Sequence, residues 1–394
     1  MEKQSSNRNT TSWKRKDTRI KQARLSSLLQ QRVNTRPLNQ LVCKIKEGTG
    51  SNLFQQAFFS QSNQNQSPEI SVDSPCFLAS IDKMYNATLL LLLWEQGKVG
   101  LDDPIDKYLP VKGIGSIHLS KGSNWSKDIT IRHLLTHTSG LADWLEDSPK
   151  GGKSLIEQVI ESGDRYVSFD EILSKLSGEL EAHFPPQNLG YDKIRARYSD
   201  TNYILLIEII EQITGKGLAQ VCEEMLLKPL ELEQTYFPGL SQPLVPVMDP
   251  IPLRVEGNII EIPELMKSFR GMAGTIDDVI RFAMALTQNR IFQNPDTLKL
   301  VMNTQYGFGL PKDKPSLRAP GWPICYGMGM MKFQLPRIFT GLKVMPTLYG
   351  HTGSTGCWVF WSPDLDLYIA GSCDEATAGA LPYRLVPKIL QILG

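Results

Sequence analysis

The chain has 394 residues, of which 41% are hydrophobic and 21% are charged, and its formal net charge is +1. This composition is typical of a soluble globular protein. A net charge so close to zero gives no support for a nucleic-acid partner, and none is expected. The longest apolar run, residues 89–94, is far shorter than the ~20 residues that a membrane span needs.

The first part of the chain is basic and polar. Residues 1–25 carry eight lysines and arginines against Glu2 and Asp17, and most of the other residues are Ser, Asn, Thr and Gln. This pattern predicts a disordered arm that solubilises the chain, with a nucleic-acid or membrane role as the alternative. No apolar segment of the length found in a secretory signal follows the basic start, so we expect a cytoplasmic protein.

The six cysteines are scattered, without the spacing of a metal site. They are expected to be reduced and mostly buried, although an even number leaves disulfides open. His133 and His137 lie four residues apart but lack the H-E-x-x-H pattern, so we interpret them as structural. Neither a metal nor a cofactor is expected.

The next elements predict the first part of a sheet and a long buried helix. Residues 21–34 have a helical pattern, residues 41–46 alternate like a half-buried strand, and residues 53–60 are the expected hairpin partner. A strongly apolar helix is then predicted from Ser80 to Gly97, where the glycine suits the helix end.

Ser80 and Lys83 stand at the start of this apolar helix. A three-residue step on a helix places both side chains on one face. A serine hydroxyl needs an adjacent base to become a nucleophile, and a lysine amine is such a base when its pKa is lowered. The pattern is weak alone, because Ser80 could be a helix N-cap and Lys83 a solvated lysine.

Later segments complete the fold prediction. Residues 130–135, 203–213 and 275–286 are predicted helices. In the last hundred residues, short β-branched and aromatic runs at 326–333, 357–361 and 367–371 predict antiparallel strands, followed by a helix over 381–393. We therefore predict an α+β fold, an antiparallel sheet flanked by helices with an inserted, mainly helical lobe. One catalytic domain would span 26–394, with its sheet part at about 26–82 and 258–394 and its helical lobe at about 83–257.

Two further motifs agree with the Ser-x-x-Lys step. Arg197-Tyr198-Ser199-Asp200 precedes a predicted helix, and the segment 350–356, GHTGSTG, leads into a predicted strand. In order and broad spacing, the three motifs resemble those of the serine β-lactamase and penicillin-binding-protein superfamily, which are Ser-x-x-Lys, Tyr-x-Asn and Lys-Thr-Gly or His-x-Gly. The resemblance is closest to the class C-like branch of esterases, D-amino-acid peptidases and β-lactamases. The segments 91–110, 129–141 and 271–278 also resemble that branch, and the likeness runs from about residue 36 to the C-terminus.

The resemblance implies a β-lactamase/transpeptidase-like fold and a role for each matching residue. Ser80 would be the acylated nucleophile, Lys83 its general base or proton shuttle, and Tyr198 a second acid/base group whose phenolate form Lys83 favours. The backbone N–H groups of Ser80 and Ser354 would form the oxyanion hole, since a tetrahedral intermediate needs two fixed donors. The expected substrate is a small molecule or short peptide, and the residues expected to bind it are Asp200, His351, Thr352 and Gly353.

Two positions depart from the family pattern. Asp200 replaces the usual Asn, and an ionised carboxylate can only accept hydrogen bonds. Asp200 would suit a cationic or N–H-donating substrate group, or it would pair with Lys83, raise the lysine's pKa and make it a poorer base. His351 replaces a permanently charged lysine and is mostly neutral at pH 7, which favours esters and uncharged amides over anionic penicillins.

Three functions remain open at this stage. The leading hypothesis is a serine hydrolase acting through an acyl-enzyme on an ester or amide, a D-amino-acid peptide included, with weak or no β-lactamase activity. The second is an acyltransferase or cyclase, because the acylation machinery is shared. The third is a non-catalytic binding or sensor protein, for which Asp200 and Asp82 are the only hints; Asp82 is expected at the surface or behind the catalytic residues. The sequence leaves the oligomeric state open.

Overall fold

A computed structural model describes residues 15–35, 38–60, 70–191, 193–310, 312–313, 317, 319–339 and 344–394. The α-helices in these ranges are α1 Arg15–Val33, α2 Asp82–Glu95, α3 Ile131–Leu135, α4 Leu155–Ser162, α5 Phe169–Gly178, α6 Asp200–Thr214, α7 Leu218–Cys222, α8 Pro263–Phe269, α9 Ile276–Thr287, α10 Pro295–Asn303 and α11 Leu381–Leu393. The strands are β1 Gln40–Glu47, β2 Asn52–Phe59, β3 Cys76–Phe77, β4 Leu119–Ser120, β5 Ser123–Asn124, β6 Arg254–Val255, β7 Asn258–Ile259, β8 Ala273–Gly274, β9 Tyr306–Gly307, β10 Cys325–Tyr326, β11 Met331–Phe333, β12 Leu348–Thr352, β13 Cys357–Ser362 and β14 Leu367–Cys373.

Both ends of the chain build the main sheet, whose order is β2-β1-β14-β13-β12-β11-β10-β9. All of its neighbouring strands are antiparallel. The central strand β14 is buried along its whole length because helices cover the sheet: α9 packs on β14, while α1 packs on β2 and α11. The predicted α+β class and antiparallel sheet are confirmed, as is the predicted hairpin of β1 and β2.

Helix α2 begins the mainly helical part of the chain between β3 and β8. This helix is buried on nearly all sides, and it packs against α6 and α7. A helix that is apolar all round belongs in a protein interior. The apolar character of the leucine run thus explains why α2 is buried among other elements.

The structure corrects two element boundaries. The predicted disordered arm over 1–25 is wrong for residues 15–25, which belong to α1; residues 1–14 lie outside the described ranges. Leu25 and Leu29 of α1 are buried, so the second half of the basic segment is held by apolar packing. The single strand expected over 326–333 is two short strands, because the chain turns at Gly329, whose φ is +81°. A Cβ on Gly329 would lie 2.4 Å from that of Ala87, so this turn is pressed against α2.

All six cysteines are unpaired, and five of them are buried, as expected. Within the described ranges, no helix combines the length and the apolar character needed to cross a membrane.

Candidate active site

Ser80 lies in a short 3₁₀ turn, Ala79–Ile81, that joins β3 to the start of α2. Ala79 has a φ of +46°, in the left-handed region that costs free energy for a residue with a Cβ and that recurs at functional sites. The turn is fixed from the sheet side, since the Cys357 thiol donates to the carbonyl of Leu78 at 3.0 Å. Ser80 itself is partly exposed, so its hydroxyl is accessible at the point where the turn meets α2.

Lys83 reaches Ser80 from the first turn of α2, as the three-residue step predicts. Its Nζ lies 3.1 Å from Ser80 Oγ and 2.6 Å from Asp200 Oδ1, and its side chain is only 7% exposed. Burial alone would lower the pKa of Lys83, but the Asp200 carboxylate and, to a smaller extent, Tyr198 more than offset it and raise the pKa. Lys83 is therefore an ammonium in the resting site.

Tyr198 lies over Lys83, with the ammonium nitrogen 5.0 Å from the centre of its ring. Its buried hydroxyl makes no hydrogen bond of normal geometry to a described residue, although it lies close enough to Lys83 and Ser80 for both to lower its pKa. Burial is the larger effect and raises the pKa of Tyr198 to about 12. The expected phenolate character is therefore not found: Tyr198 is a protonated phenol in the resting site.

Asp200 is the first residue of α6, and its carboxylate contacts Lys83. The sequence left two roles open for Asp200, contact with a substrate group or an ion pair with Lys83. The structure contains the ion pair with Lys83. The backbone N–H of Asp200 donates to Asp143 Oδ2 at 2.8 Å. Burial, followed by the charges of Asp200 and Asp147, raises the pKa of Asp143 well above its usual range. Sequence reasoning missed Asp143, because a single aspartate in a loop matches no motif.

The third motif is split between the interior and the surface. His351 is fully buried; its Nδ1 lies 2.8 Å from the carbonyl of Thr352 and its Nε2 lies 3.2 Å from the hydroxyl of Tyr326. Burial, aided by Lys83, lowers the pKa of His351 to about 3, so the ring is neutral as expected. Such burial argues against direct substrate contact by the imidazole, whose predicted binding role remains a prediction.

Thr352, Gly353 and Ser354 carry the same motif outward. Thr352 is half-buried, with Oγ1 3.0 Å from the hydroxyl of Tyr383, and Ser354 is exposed. A Cβ on Gly353 would lie 2.4 Å from the carbonyl oxygen of Leu78, so a glycine is required there. This close approach brings the segment containing Ser354 alongside the turn of Ser80.

The sequence left two locations open for Asp82, the surface or a position behind the proposed catalytic residues. The structure excludes the surface. Asp82 is 8% exposed, and its Oδ2 accepts a hydrogen bond from the backbone N–H of Met272 at 2.9 Å. Burial raises the pKa of Asp82 well above its usual range, against the smaller effects of that hydrogen bond and of Lys83. Asp82 therefore joins α2 to the segment before β8.

A cleft of about 420 Å³ opens beside Tyr198. Its walls combine apolar side chains with charged ones, and they include Asp143, Phe184, Arg195, Phe308 and Leu310. Arg197 crosses one side, where its guanidinium donates to Asp313 at 2.9 Å and to Asp147 at 3.3 Å. The cleft is large enough for a small-molecule or short-peptide group, and its lining includes Tyr198 but neither Ser80 nor Lys83.

No cluster of His, Cys, Asp and Glu with metal-binding geometry occurs in the described part of the chain. The ring nitrogens of His133 contact the backbone N–H of Thr130 and the carbonyl of Gln187, at 3.0 and 2.7 Å. His137 is buried against Tyr198, with 4.4 Å between the ring centres. The candidate site consists of Ser80, Lys83, Tyr198 and Asp200. These residues lie in or just before the first turns of α2 and α6.

The family model described as Beta-lactamase matches residues 49–377, and the chain belongs to that family. Among curated proteins, it is 29% identical to esterase EstB of Burkholderia gladioli over 276 residues, 63% of this chain and 65% of that protein. It is 30% identical to monacolin J acid methylbutanoyltransferase of Aspergillus terreus over 186 residues, 45% of this chain and 42% of that protein. Each match spans less than two thirds of the relative's length.

Solved structures show the same fold. The D-amino acid amidase from Ochrobactrum anthropi SV3, complexed with L-phenylalanine, superposes with a TM-score of 0.71 at 18% identity, covering 96% of this chain and 98% of that chain. At this level of identity the likeness extends to the fold alone. Together with the family match, this likeness confirms the β-lactamase-like architecture expected from the three motifs.

Proposed function

We propose that the protein is a serine hydrolase that forms an acyl-enzyme on Ser80 with an ester or amide substrate. The observation that carries this proposal is the 3.1 Å contact between Lys83 Nζ and Ser80 Oγ in a member of the Beta-lactamase family. The cleft that Tyr198 lines supplies space for part of a substrate.

Lys83 acts as a proton shuttle rather than a resting base, because it is already protonated. As Ser80 Oγ attacks the substrate carbonyl, its proton passes to Lys83 while Lys83 gives a proton to Asp200 Oδ1, 2.6 Å away. The carbonyl carbon gains a bond to Oγ, and its oxygen takes the negative charge. Asp200 thereby holds the proton that the nucleophile has lost.

Tyr198 protonates the leaving group as the tetrahedral intermediate collapses, and it recovers its proton from Asp200 through Lys83. Water then attacks the acyl-enzyme by the same path in reverse. A positioned acid or base of this kind contributes about 10²–10⁴ in rate.

The backbone N–H groups of Ser80 and Ser354 are the proposed oxyanion hole. The approach of Gly353 to Leu78 supports this role, since it holds the two segments together before the substrate binds. Donors fixed in advance stabilise developing charge most effectively, and losing one costs about 10²–10³ in rate.

Asp200→Asn is expected to shift the pH–rate profile. In the wild-type protein the Asp200 carboxylate raises the pKa of Lys83 and takes the proton that Lys83 relays, so turnover does not require the neutral amine. An amide cannot take that proton, so kcat of the variant should fall at neutral pH. Because the amide also removes the negative charge and lowers the pKa of Lys83, the neutral amine can then serve as the base, and the rate should recover as the pH rises.

The measurement is kcat against pH, with Asp277→Asn as the matched control. Asp277 also pairs with a lysine, at 2.9 Å from Lys44 Nζ, but away from the site. An unchanged profile in Asp200→Asn would mean that Asp200 does not control the protonation of Lys83.

The proposed substrates are neutral esters and uncharged amides. His351 is neutral and buried, so an anionic carboxylate gains little at that position. We expect kcat/KM for p-nitrophenyl acetate to exceed that for nitrocefin. The reverse order would overturn the substrate assignment. A protein that turns over neither of these compounds nor any other short ester would count against hydrolysis.

Acyl transfer is the second candidate, favoured by the similarity to an Aspergillus terreus methylbutanoyltransferase. An alcohol or amine would then replace water in the second step. Adding a primary alcohol or amine to the ester assay separates the two, since a transferase forms the new ester or amide at the expense of the free acid. The third candidate, a non-catalytic binder, is favoured only by the Lys83–Asp200 pair, which weakens Lys83 as a base.

A further inference from the structure

His137 is a fully buried histidine that takes no part in the proton path proposed above. It follows α3 in the left-handed conformation, with a φ of +55°. Its ring lies 4.4 Å from the ring of Tyr198 and 4.5 Å from that of Tyr326. It thus occupies the space directly behind the proposed acid/base tyrosine.

Hydrogen bonds fix which nitrogen of His137 carries the proton. Nδ1 faces two donors, the backbone N–H of Ser199 at 3.3 Å and the side-chain amide of Asn202 at 2.9 Å. The hydroxyl of Ser139 donates to Asn202 Oδ1 at 2.6 Å, which leaves the amide nitrogen of Asn202 to point at His137. Nδ1 is therefore an acceptor, and the proton of the neutral ring lies on Nε2.

The surroundings keep the ring neutral. The groups that face it are Lys83, His351 and the rings of Tyr198, Tyr203 and Tyr326. Burial, followed by the charge of Lys83 and the proximity of His351, lowers the pKa of His137 well below its usual range. A protonated ring would turn an N–H toward two existing donors, so the neutral acceptor is the form that fits.

The backbone of His137 holds the same segment. Its carbonyl accepts a hydrogen bond from the N–H of Arg197 at 2.9 Å. Side chain and backbone together bind residues 197–202, the stretch that carries both Tyr198 and Asp200. Nε2 has no hydrogen-bond partner among the described residues, so the Nδ1 bonds and the ring faces provide the attachment.

We infer that His137 is a positioning residue, which sets Tyr198 against Ser80 and Lys83 through its neutral Nδ1 acceptor and its ring. The inference rests on the proposed function, because His137 acts through Tyr198. It assigns a specific task to a residue that the sequence indicated only as structural.

Two substitutions separate the ring from the acceptor. His137→Phe keeps an aromatic ring against Tyr198 but leaves Ser199 N–H and the Asn202 amide without their acceptor. His137→Asn loses the ring but keeps an acceptor oxygen close to the position of Nδ1. We expect kcat for a short ester to fall by about 10² in His137→Phe, the lower end of what a positioned acid/base group contributes, and less in His137→Asn. KM should change little in either variant.

The control is His133→Asn. His133 is also buried on this part of the chain, but its nitrogens bond to Thr130 and Gln187. This variant should lower the melting temperature while leaving kcat near the wild-type value. A wild-type kcat in both folded His137 variants would overturn the inference, as would a smaller kcat in His137→Asn than in His137→Phe.

The decisive readout is a double-mutant cycle with Tyr198→Phe. If His137 acts by positioning Tyr198, adding His137→Phe to Tyr198→Phe should lower kcat by little more than Tyr198→Phe alone. Multiplicative losses would show a general structural role and overturn the inference. Failure of the wild-type protein to turn over any ester would instead count against the proposed function.

Discussion

Ser80→Ala is expected to lower hydrolysis of p-nitrophenyl acetate by at least ~10³-fold, because loss of a catalytic nucleophile removes the covalent route altogether. Ser80 Oγ is the atom that Lys83 contacts at 3.1 Å in a partly exposed turn. The substitution removes one oxygen from that turn and leaves the backbone contacts of Leu78 and Met272 in place. The fold should therefore persist, as circular dichroism and thermal unfolding can verify.

The matched control is Ser174→Ala, at an exposed position on α5. It should retain the wild-type kcat and melting temperature. Most of the activity surviving in folded Ser80→Ala protein would place the nucleophile elsewhere.

Lys83→Ala and Tyr198→Phe form the second prediction, with each expected to lower kcat by about 10² or more. Both side chains belong to the proposed proton path, and Lys83 Nζ lies 5.0 Å from the centre of the Tyr198 ring. Groups that work as a unit are strongly non-additive, so the double variant should lose little beyond the worse single one. The limbs of the wild-type pH–rate profile should belong to the coupled pair rather than to either residue.

Stability has to be measured beside activity in this series. Lys83→Ala leaves the Asp200 carboxylate, only 14% exposed, without its cation, and removing one partner of a buried ion pair typically costs about 3–5 kcal/mol. Tyr198→Phe keeps the ring and removes only a hydroxyl, so it should unfold near the wild-type temperature. Losses in kcat that multiply in the folded double variant would mean that Lys83 and Tyr198 do not share one proton path.

Features encoded over short distances in the chain were predictable. The three-residue step from Ser80 to Lys83 fixes their common face by helix geometry alone, and β1 and β2 follow from alternation and a short turn. The end of the predicted basic arm was wrong because the prediction relied on composition. The many polar residues of this stretch outweigh the few buried side chains of α1, such as Leu25 and Leu29.

Features that depend on tertiary contacts could not be settled in this way. Asp200 meets Lys83 from 117 residues away, and the sequence could state only that pairing was one of two options. Asp82 is buried because the backbone of Met272, 190 residues away, supplies its hydrogen bond. The burial of His351 and the contact of His137 with Tyr198 likewise arise from packing between elements that no local pattern describes.

The central claim, a nucleophilic Ser80, is tested most directly by labelling with a fluorophosphonate and mass spectrometry of the digested protein. These reagents phosphonylate a serine only when its oxygen is activated by a neighbouring base and its site is accessible. The account predicts a single modified peptide, carrying the label on Ser80 in the wild-type protein and absent in Ser80→Ala. A wild-type protein that stays unlabelled, or that carries the label on another residue, would contradict it.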